Sequence, residues 1–388
     1  MHLDPPSTAP RTDRTEGTPI AALDDGPASE DPSVAYAAGV YELRPERHHP
    51  LQAAQPPPSS EELTAAWEFL REHRLTTPCY RVPRLSGAGG REVSVKYEIL
   101  SPIRSFKVRG AFWAVAQADR AGIREIVTAS TGNHGQGIAY AGSALGVRTT
   151  IFVPEDVDEV KFASMAQLGA QIERAGTSLA DAEQHAQAYA VRAEATYLED
   201  GEDPRLMAGA ASIGLEILEQ LTQVDTIVVP VGGGNLAAAV ALALEQADSP
   251  ARLVAVQSTA APGVAASLLG GRIQRLPSRT RAGGLATDRP GVLAFDVLRR
   301  RLDAICLVEE EWLWSGIRTA FDGVGIALEL AAAAPFAALE RFGDQLGGPQ
   351  IVLLASGACI DARDLAFALS GGQRPPLTAP VPSRSPRE

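Results

Sequence analysis

Cysteine is scarce in this chain: Cys79, Cys306 and Cys359 are the three among 388 residues. They are too few and too far apart for a disulfide framework or a cysteine zinc site, and a reducing, cytoplasmic compartment is expected. The six histidines are scattered, so no metal site is expected. Positive charge is also short, with 35 Lys and Arg against 47 Asp and Glu, a net charge of −12. Nucleic acid binding needs a basic face, which this balance argues against. No apolar run reaches the ~18 residues of a membrane span. The Ala-rich stretch from Leu328 to Leu339 is short and carries Glu329 and Pro335. No apolar segment follows Met1, so no secretory leader is expected. No repeat of about 20–50 residues is present.

What remains is a chain of 45% hydrophobic residues, enough for one large core or two ordinary ones. Residues 1–58 are rich in Pro, Ser, Thr and Ala and read as a loosely ordered extension. Residues 373–388 read as a loose tail. Ser59-Ser60-Glu61-Glu62 is a helix start, with a capping serine and acids in the first turn. That helix is expected to run to about Arg74 with Leu63, Trp67 and Leu70 on one face. Strands are expected at 93–97, 126–128, 149–153, 226–231, 253–256 and 351–354, with helical patterns such as Leu206–Gln220 and Leu236–Gln246 between them. This spacing predicts an α/β fold, a mostly parallel sheet with helices on both faces.

Four short segments carry chemistry. Ser105-Phe106-Lys107-Val108-Arg109-Gly110-Ala111 sets one lysine between an aromatic residue and a small hydrophobe. A lysine amine held partly out of water attacks carbonyls, the requirement for holding an aldehyde cofactor as a Schiff base. The plain alternative is a solvated Lys–Arg surface pair. Gly232-Gly233-Gly234-Asn235 follows a strand and opens a helix, so its N–H groups and the helix dipole suit a phosphate; the alternative is a tight strand–helix turn. Ser130-Thr131-Gly132-Asn133-His134-Gly135-Gln136 also follows a strand, ahead of a helical stretch from Ile138. It offers donors to a carboxylate and an amide to a phenolic oxygen, or else Ser130 or Thr131 simply caps the helix. Ser356-Gly357-Ala358-Cys359 follows a third strand. Ligands of open α/β sheets bind beyond the carboxyl ends of strands, so these loops point to one crevice.

Together the four segments resemble the fold type II (tryptophan synthase β-like) pyridoxal-phosphate enzymes, and within them the serine/threonine dehydratase and serine racemase family. The match runs over roughly residues 60 to 372. The resemblance implies two domains, each an open, mostly parallel sheet with helices on both faces. The large cofactor domain would be 59–119 plus 206–372, the small one 120–205, with no C-terminal regulatory domain and hence no feedback control by isoleucine. It implies pyridoxal 5′-phosphate as cofactor and Lys107 as the Schiff-base lysine. Gly232, Gly233, Gly234 and Asn235 would hold the phosphate, with Asn235 where the family more often has a fourth glycine. Asn133 would meet the phenolic oxygen and Ser356 the pyridine nitrogen. Ser130, Thr131 and His134 would grip the substrate carboxylate. Glu329 matches an acid near the ring, its alternative being a solvated or helix-capping glutamate. Arg104 stands where the family has glycine and would meet a second anionic group or solvate. Gln257 and Gly263 replace the acids of a divalent-cation site found in some members. Cys359 replaces an asparagine and is expected to be an inert buried thiol.

The activity this implies is α,β-elimination, the dehydration and deamination of a β-hydroxy amino acid such as threonine or serine to a 2-oxo acid and ammonia. A serine, unlike an aspartate, does not stabilise a protonated ring, which suits elimination. The alternatives are β-replacement, as in cysteine or diaminopropionate synthesis, racemisation, for which Thr131 supplies a hydroxyl, and a binding protein that has lost catalysis. The resemblance also implies a homodimer.

Overall fold

The computed structural model describes residues 36–43, 55–86, 90–157 and 159–371. The expected tail 373–388 and most of the extension 1–58 lie outside the described residues. Eleven strands follow in chain order: β1 (Gly39–Glu42), β2 (Cys79–Arg81), β3 (Glu92–Tyr97), β4 (Glu125–Ala129), β5 (Arg148–Val153), β6 (Gln171–Arg174), β7 (Thr196–Tyr197), β8 (Thr226–Pro230), β9 (Arg252–Ser258), β10 (Ala304–Val308) and β11 (Gln350–Ala355). Every residue of β4, β8 and β10 is buried. Continuous burial of that kind requires cover on both faces, which is why these strands sit inside mostly parallel sheets between helices.

The first sheet has the order β1-β10-β9-β8-β11-β3-β2. Only its edge strands run antiparallel, β1 against β10 and β2 against β3. The second, β6-β5-β4-β7, is parallel throughout. In the first sheet the chain steps outward from β8 through β9 to β10, then returns to lay β11 on the other side of β8. In the second it steps from β4 through β5 to β6, then returns to lay β7 beside β4. Each sheet therefore has a switch point, where the loops after neighbouring strands diverge and leave a crevice.

The sequence missed five strands. β1 lies within the stretch expected to be a loose extension, yet Val40 and Tyr41 pair with Cys306 and Ile305. β2 and β7 have three and two residues, too few for a pattern. β6, Gln-Ile-Glu-Arg, is half exposed and polar. β10 is fully apolar but follows the three arginines that end the helix Val292–Arg301. The first expected helix is present as Ser60–Glu72, with the Ser59 hydroxyl accepting the Glu62 N–H and the Glu62 carboxylate accepting the Ser59 N–H. No helix among the described residues is long and apolar enough to cross a membrane.

Candidate active site

The loops at the two switch points meet. From the first sheet come Gly232–Asn235 after β8 and Ser356–Cys359 after β11. From the second come Ser130–His134 after β4 and Leu198–Asp203 after β7. Lys107 stands among them as the first residue of the helix Lys107–Arg120.

A backbone bridge fixes Lys107 beside Ser356. Ser105 pairs antiparallel with Gly357, the Phe106 N–H donates to the Ser356 carbonyl at 2.9 Å, and the Ala358 N–H donates to the Arg104 carbonyl at 3.0 Å. Arg104 turns the chain into this bridge with φ 55°, a left-handed conformation natural to glycine, which gives a backbone reason for glycine here. The Arg104 side chain is exposed and bonds no described residue. Arg109 anchors the helix from below. It is fully buried and binds Glu98 and Glu216 together, with Nε 2.7 Å from Glu98 Oε2 and Nη2 2.9 Å from Glu216 Oε2. The surface-pair alternative for Lys107 and Arg109 is therefore wrong.

Lys107 Nζ donates to Asp200 Oδ1 at 2.5 Å and lies 5.3 Å from the centre of the Phe106 ring. Asp200 was missed by sequence reasoning, because Glu199-Asp200-Gly201-Glu202-Asp203 looks like a solvated acidic loop ahead of a helix. The usable signal was its place just before the capping Asp203 and Pro204 of the helix Pro204–Gln220. Burial alone would raise the Asp200 carboxyl; the Lys107 ammonium and then His134 outweigh it and bring it down to about 2.

The loop after β4 becomes helix earlier than expected, at Asn133 rather than Ile138. Ser130 is a capping residue: its oxygen accepts the N–H groups of Gly132 and Gly135 at 3.2 and 3.1 Å, which leaves its own O–H to donate. The N–H groups of Asn133 and His134 find no partner among the described residues, and with the helix dipole they suit a carboxylate. Thr131 is half-buried beside them. The His134 side chain does not face the same way. Its Nε2 meets the Thr128 hydroxyl at 3.0 Å and its Nδ1 lies 3.6 Å from Asp200 Oδ1. What His134 offers a carboxylate is its backbone. Burial lowers its imidazole below the ordinary value, against the pull of Asp200.

Asn133 spans to the other sheet, where its amide donates to both oxygens of Glu329 at 3.1 Å. Glu329 precedes the helix Leu330–Phe342, and its carboxylate accepts the Cys359 N–H instead of capping that helix. A side chain at Gly357 would strike Glu329, with a Cβ only 2.5 Å from Oε1. Burial raises the Glu329 carboxyl, and the Asn133 amide and the Cys359 N–H only partly offset this. The Ser356 hydroxyl is buried and bonds no other described residue. Cys359 is part-buried with its thiol raised by burial, as suits an inert sulfur.

At the glycine loop, Gly234 has φ 102° and precedes the helix Asn235–Gln246. The N–H groups of Gly233, Gly234 and Asn235 have no partner among the described residues, and a Cβ on Gly233 would meet only the Thr287 methyl at 3.9 Å. The Asn235 amide oxygen is buried without a partner. The free N–H groups at a helix start fit a phosphate; the orphaned Asn235 oxygen, an acceptor, does not add to that fit. Lys107, His134, Asp200 and Asn235 line one cavity of about 10 Å³, room for a single water. The Gln257 amide oxygen accepts the Ala265 N–H at 3.0 Å, and Gly263 has no side chain to offer a cation. No group of metal-ligating side chains occurs among the described residues.

The family model described as pyridoxal-phosphate dependent enzyme matches residues 70–357. An L-threonine ammonia-lyase of Geobacter sulfurreducens is 35% identical over 290 residues, 73% of this chain and 71% of that one. An L-threonine ammonia-lyase of Thermotoga maritima is 33% identical, covering 74% and 72%. The crystal structure of a T.th. threonine deaminase superimposes with a TM-score of 0.74 at 33% identity, covering 78% of this chain and 99% of that one.

Proposed function

From the premise that the chain belongs to the family of pyridoxal-phosphate-dependent enzymes, we propose that it is an ammonia-lyase that dehydrates and deaminates L-threonine or L-serine. The observation that carries this reading is the single cavity lined by Lys107 and Asn235. It joins a lysine amine to a phosphate cradle at the switch point of a parallel sheet.

When bound, pyridoxal phosphate supplies the aldehyde that takes up an amine and a ring that draws electrons from a breaking Cα–H bond. Gly232, Gly233, Gly234 and Asn235 would hold its phosphate, Asn133 its phenolic oxygen and Ser356 its ring nitrogen. A neutral Ser356 hydroxyl there would not keep a ring nitrogen protonated as a carboxylate would, which suits loss of a β-hydroxyl rather than long storage of charge. The backbone N–H groups of Asn133 and His134, with the Ser130 and Thr131 hydroxyls, bind the substrate carboxylate. Lys107, once released by the substrate amine, takes the proton from Cα. Glu329 would lie near the ring, as a carboxyl that burial favours in its neutral form. We assign the small domain to 120–205 and the large one to 59–119 plus 206–372, so that closing the first on the second excludes water. The reading includes a cytoplasmic homodimer.

The test supplies L-threonine or L-serine with no co-substrate. Release of 2-oxo acid and ammonia, abolished in Lys107→Ala, is the expected result. A D-amino acid as main product would make the chain a racemase, and a protein that takes up no cofactor would overturn the reading.

A further inference from the structure

The loop after β7 belongs to none of the four motifs, yet it carries the one polar partner of the central lysine. Lys107 Nζ has no hydrogen-bond partner among the described residues other than Asp200 Oδ1, at 2.5 Å. The pair joins the two sheets, since Lys107 opens a helix packed against Pro204–Gln220 while Asp200 lies at the switch point between β4 and β7. The chain leading into Asp200 is held in place: the Leu198 N–H donates to the Val127 carbonyl at 2.8 Å, and the Leu198 carbonyl accepts the Thr128 hydroxyl at 2.8 Å. The Thr128 oxygen in turn accepts the Nε2–H of His134 at 3.0 Å. The neutral ring then turns its Nδ1 lone pair toward Asp200 Oδ1 at 3.6 Å, too far for a hydrogen bond, and leaves that oxygen to the Lys107 amine. A carboxylate carried on an anchored strand end offers a fixed berth to an ammonium on a flexible four-carbon stem.

Resting on the function proposed above, we propose that Asp200 is a positioning residue that berths the Lys107 amine whenever the amine is not joined to the cofactor. Two consequences follow from the chemistry. An ammonium held on a carboxylate cannot add to an aldehyde, so Asp200 slows cofactor capture. During turnover the released amine is neutral; Asp200 accepts one of its N–H groups, which keeps it in one place with its lone pair free for the Cα proton, where an unpaired lysine would sweep through many rotamers.

The test uses the full chain stripped of cofactor. One arm follows capture of added pyridoxal phosphate by its absorption band, with borohydride fixation and peptide mapping to locate it on Lys107. The other follows acetylation of Lys107 by acetic anhydride with no cofactor present. In Asp200→Asn both rates are expected to rise roughly three- to tenfold, the scale of losing one charge-assisted contact. In Asp200→Glu, which keeps the carboxylate, both should stay within about twofold of the parent. In the reloaded enzyme Asp200→Asn should lower kcat with little change in KM, because the lost order belongs to the lysine and not to substrate binding. Asp200→Ser, smaller and equally uncharged, must behave as the Asn variant does. Rates in Asn and Ser variants within twofold of the parent would overturn the proposal, as would Asn and Glu variants that change alike. A parent chain that captures no cofactor on Lys107 would instead sink the proposed function, while the acetylation arm would still decide the role of Asp200.

Discussion

Two residues past Lys107, Arg109 is completely buried and faces two buried carboxylates, Glu98 and Glu216; Lys96 Nζ adds a contact to Glu216 at 2.6 Å. Four charges out of water hold only while each is paired, so removing one is more costly than never having had the set. Arg109→Met should therefore lower stability by about 3–5 kcal/mol, read as a drop in the urea midpoint. Arg109→Lys should recover only part of it, because an ammonium cannot meet both carboxylates as the planar guanidinium does. A midpoint unchanged in the Met variant would show that the network contributes nothing. None of this was legible in the lysine run, since the partners of Arg109 lie 11 and 107 residues away. Asp200 escaped notice for the same reason. Its chemistry is ordinary, and only tertiary pairing across 93 residues makes it special. Asn133, Ser356 and the glycines stood out because their local composition is already unusual for a turn.

At the scale of elements, the strand-end loops were readable and the crossings that aim them were not. The helices Lys107–Arg120 and Pro204–Gln220 touch backbone to backbone: a Cβ on Gly209 would lie 2.5 Å from the Arg109 carbonyl oxygen, and one on Gly110 2.5 Å from the Leu206 carbonyl oxygen. A third helix, Asn133–Leu145, approaches at Gly137, whose Cβ would stand 3.1 Å from the Lys107 carbonyl oxygen. Backbone cannot give way as a side-chain tip can, so Gly209→Ala has to push the first two helices apart. The expected cost is about 1–3 kcal/mol, with a loss of cofactor affinity on top, because the displaced helix begins at Lys107. Thermal unfolding and a cofactor titration on the same variant check both. A Gly209→Ala chain as stable as the parent would mean that the crossing is looser than these distances allow. The sequence held Gly110 in plain view, but a glycine in a helix pattern does not say which partner it admits. The strands that were found, such as β8 and β11, announced themselves through buried apolar runs. β6 and β7 did not, because an edge position and a two-residue length leave little to bury.

For the molecule as a whole, the polar contacts that cross between the units built on the two sheets include the Val292 N–H to Glu202 and two that hold a shifted carboxyl: Lys107 to Asp200, and Asn133 to Glu329. The last two are the pH-sensitive ones. They should respond to pH in opposite senses. Asp200 is held low, at about 2, so its contribution is present above the ordinary carboxyl range and fades only toward strong acid. Glu329 is raised above its ordinary 4.5 by burial. A carboxyl that the folded chain keeps protonated stabilises fully below about 4.5, and that stability is lost as pH climbs through the raised folded value. Glu329→Gln keeps an acceptor for the Asn133 amide and has no proton to lose. The cofactor-free variant and parent should then differ least near about pH 4, and the variant should gain in relative stability as pH rises toward about 8. Paired thermal melts across that range measure it. A difference that stays flat or falls with pH would mean that the Asn133 amide and the Cys359 N–H compensate the buried carboxylate in full. The link between the sheets would then be indifferent to protonation.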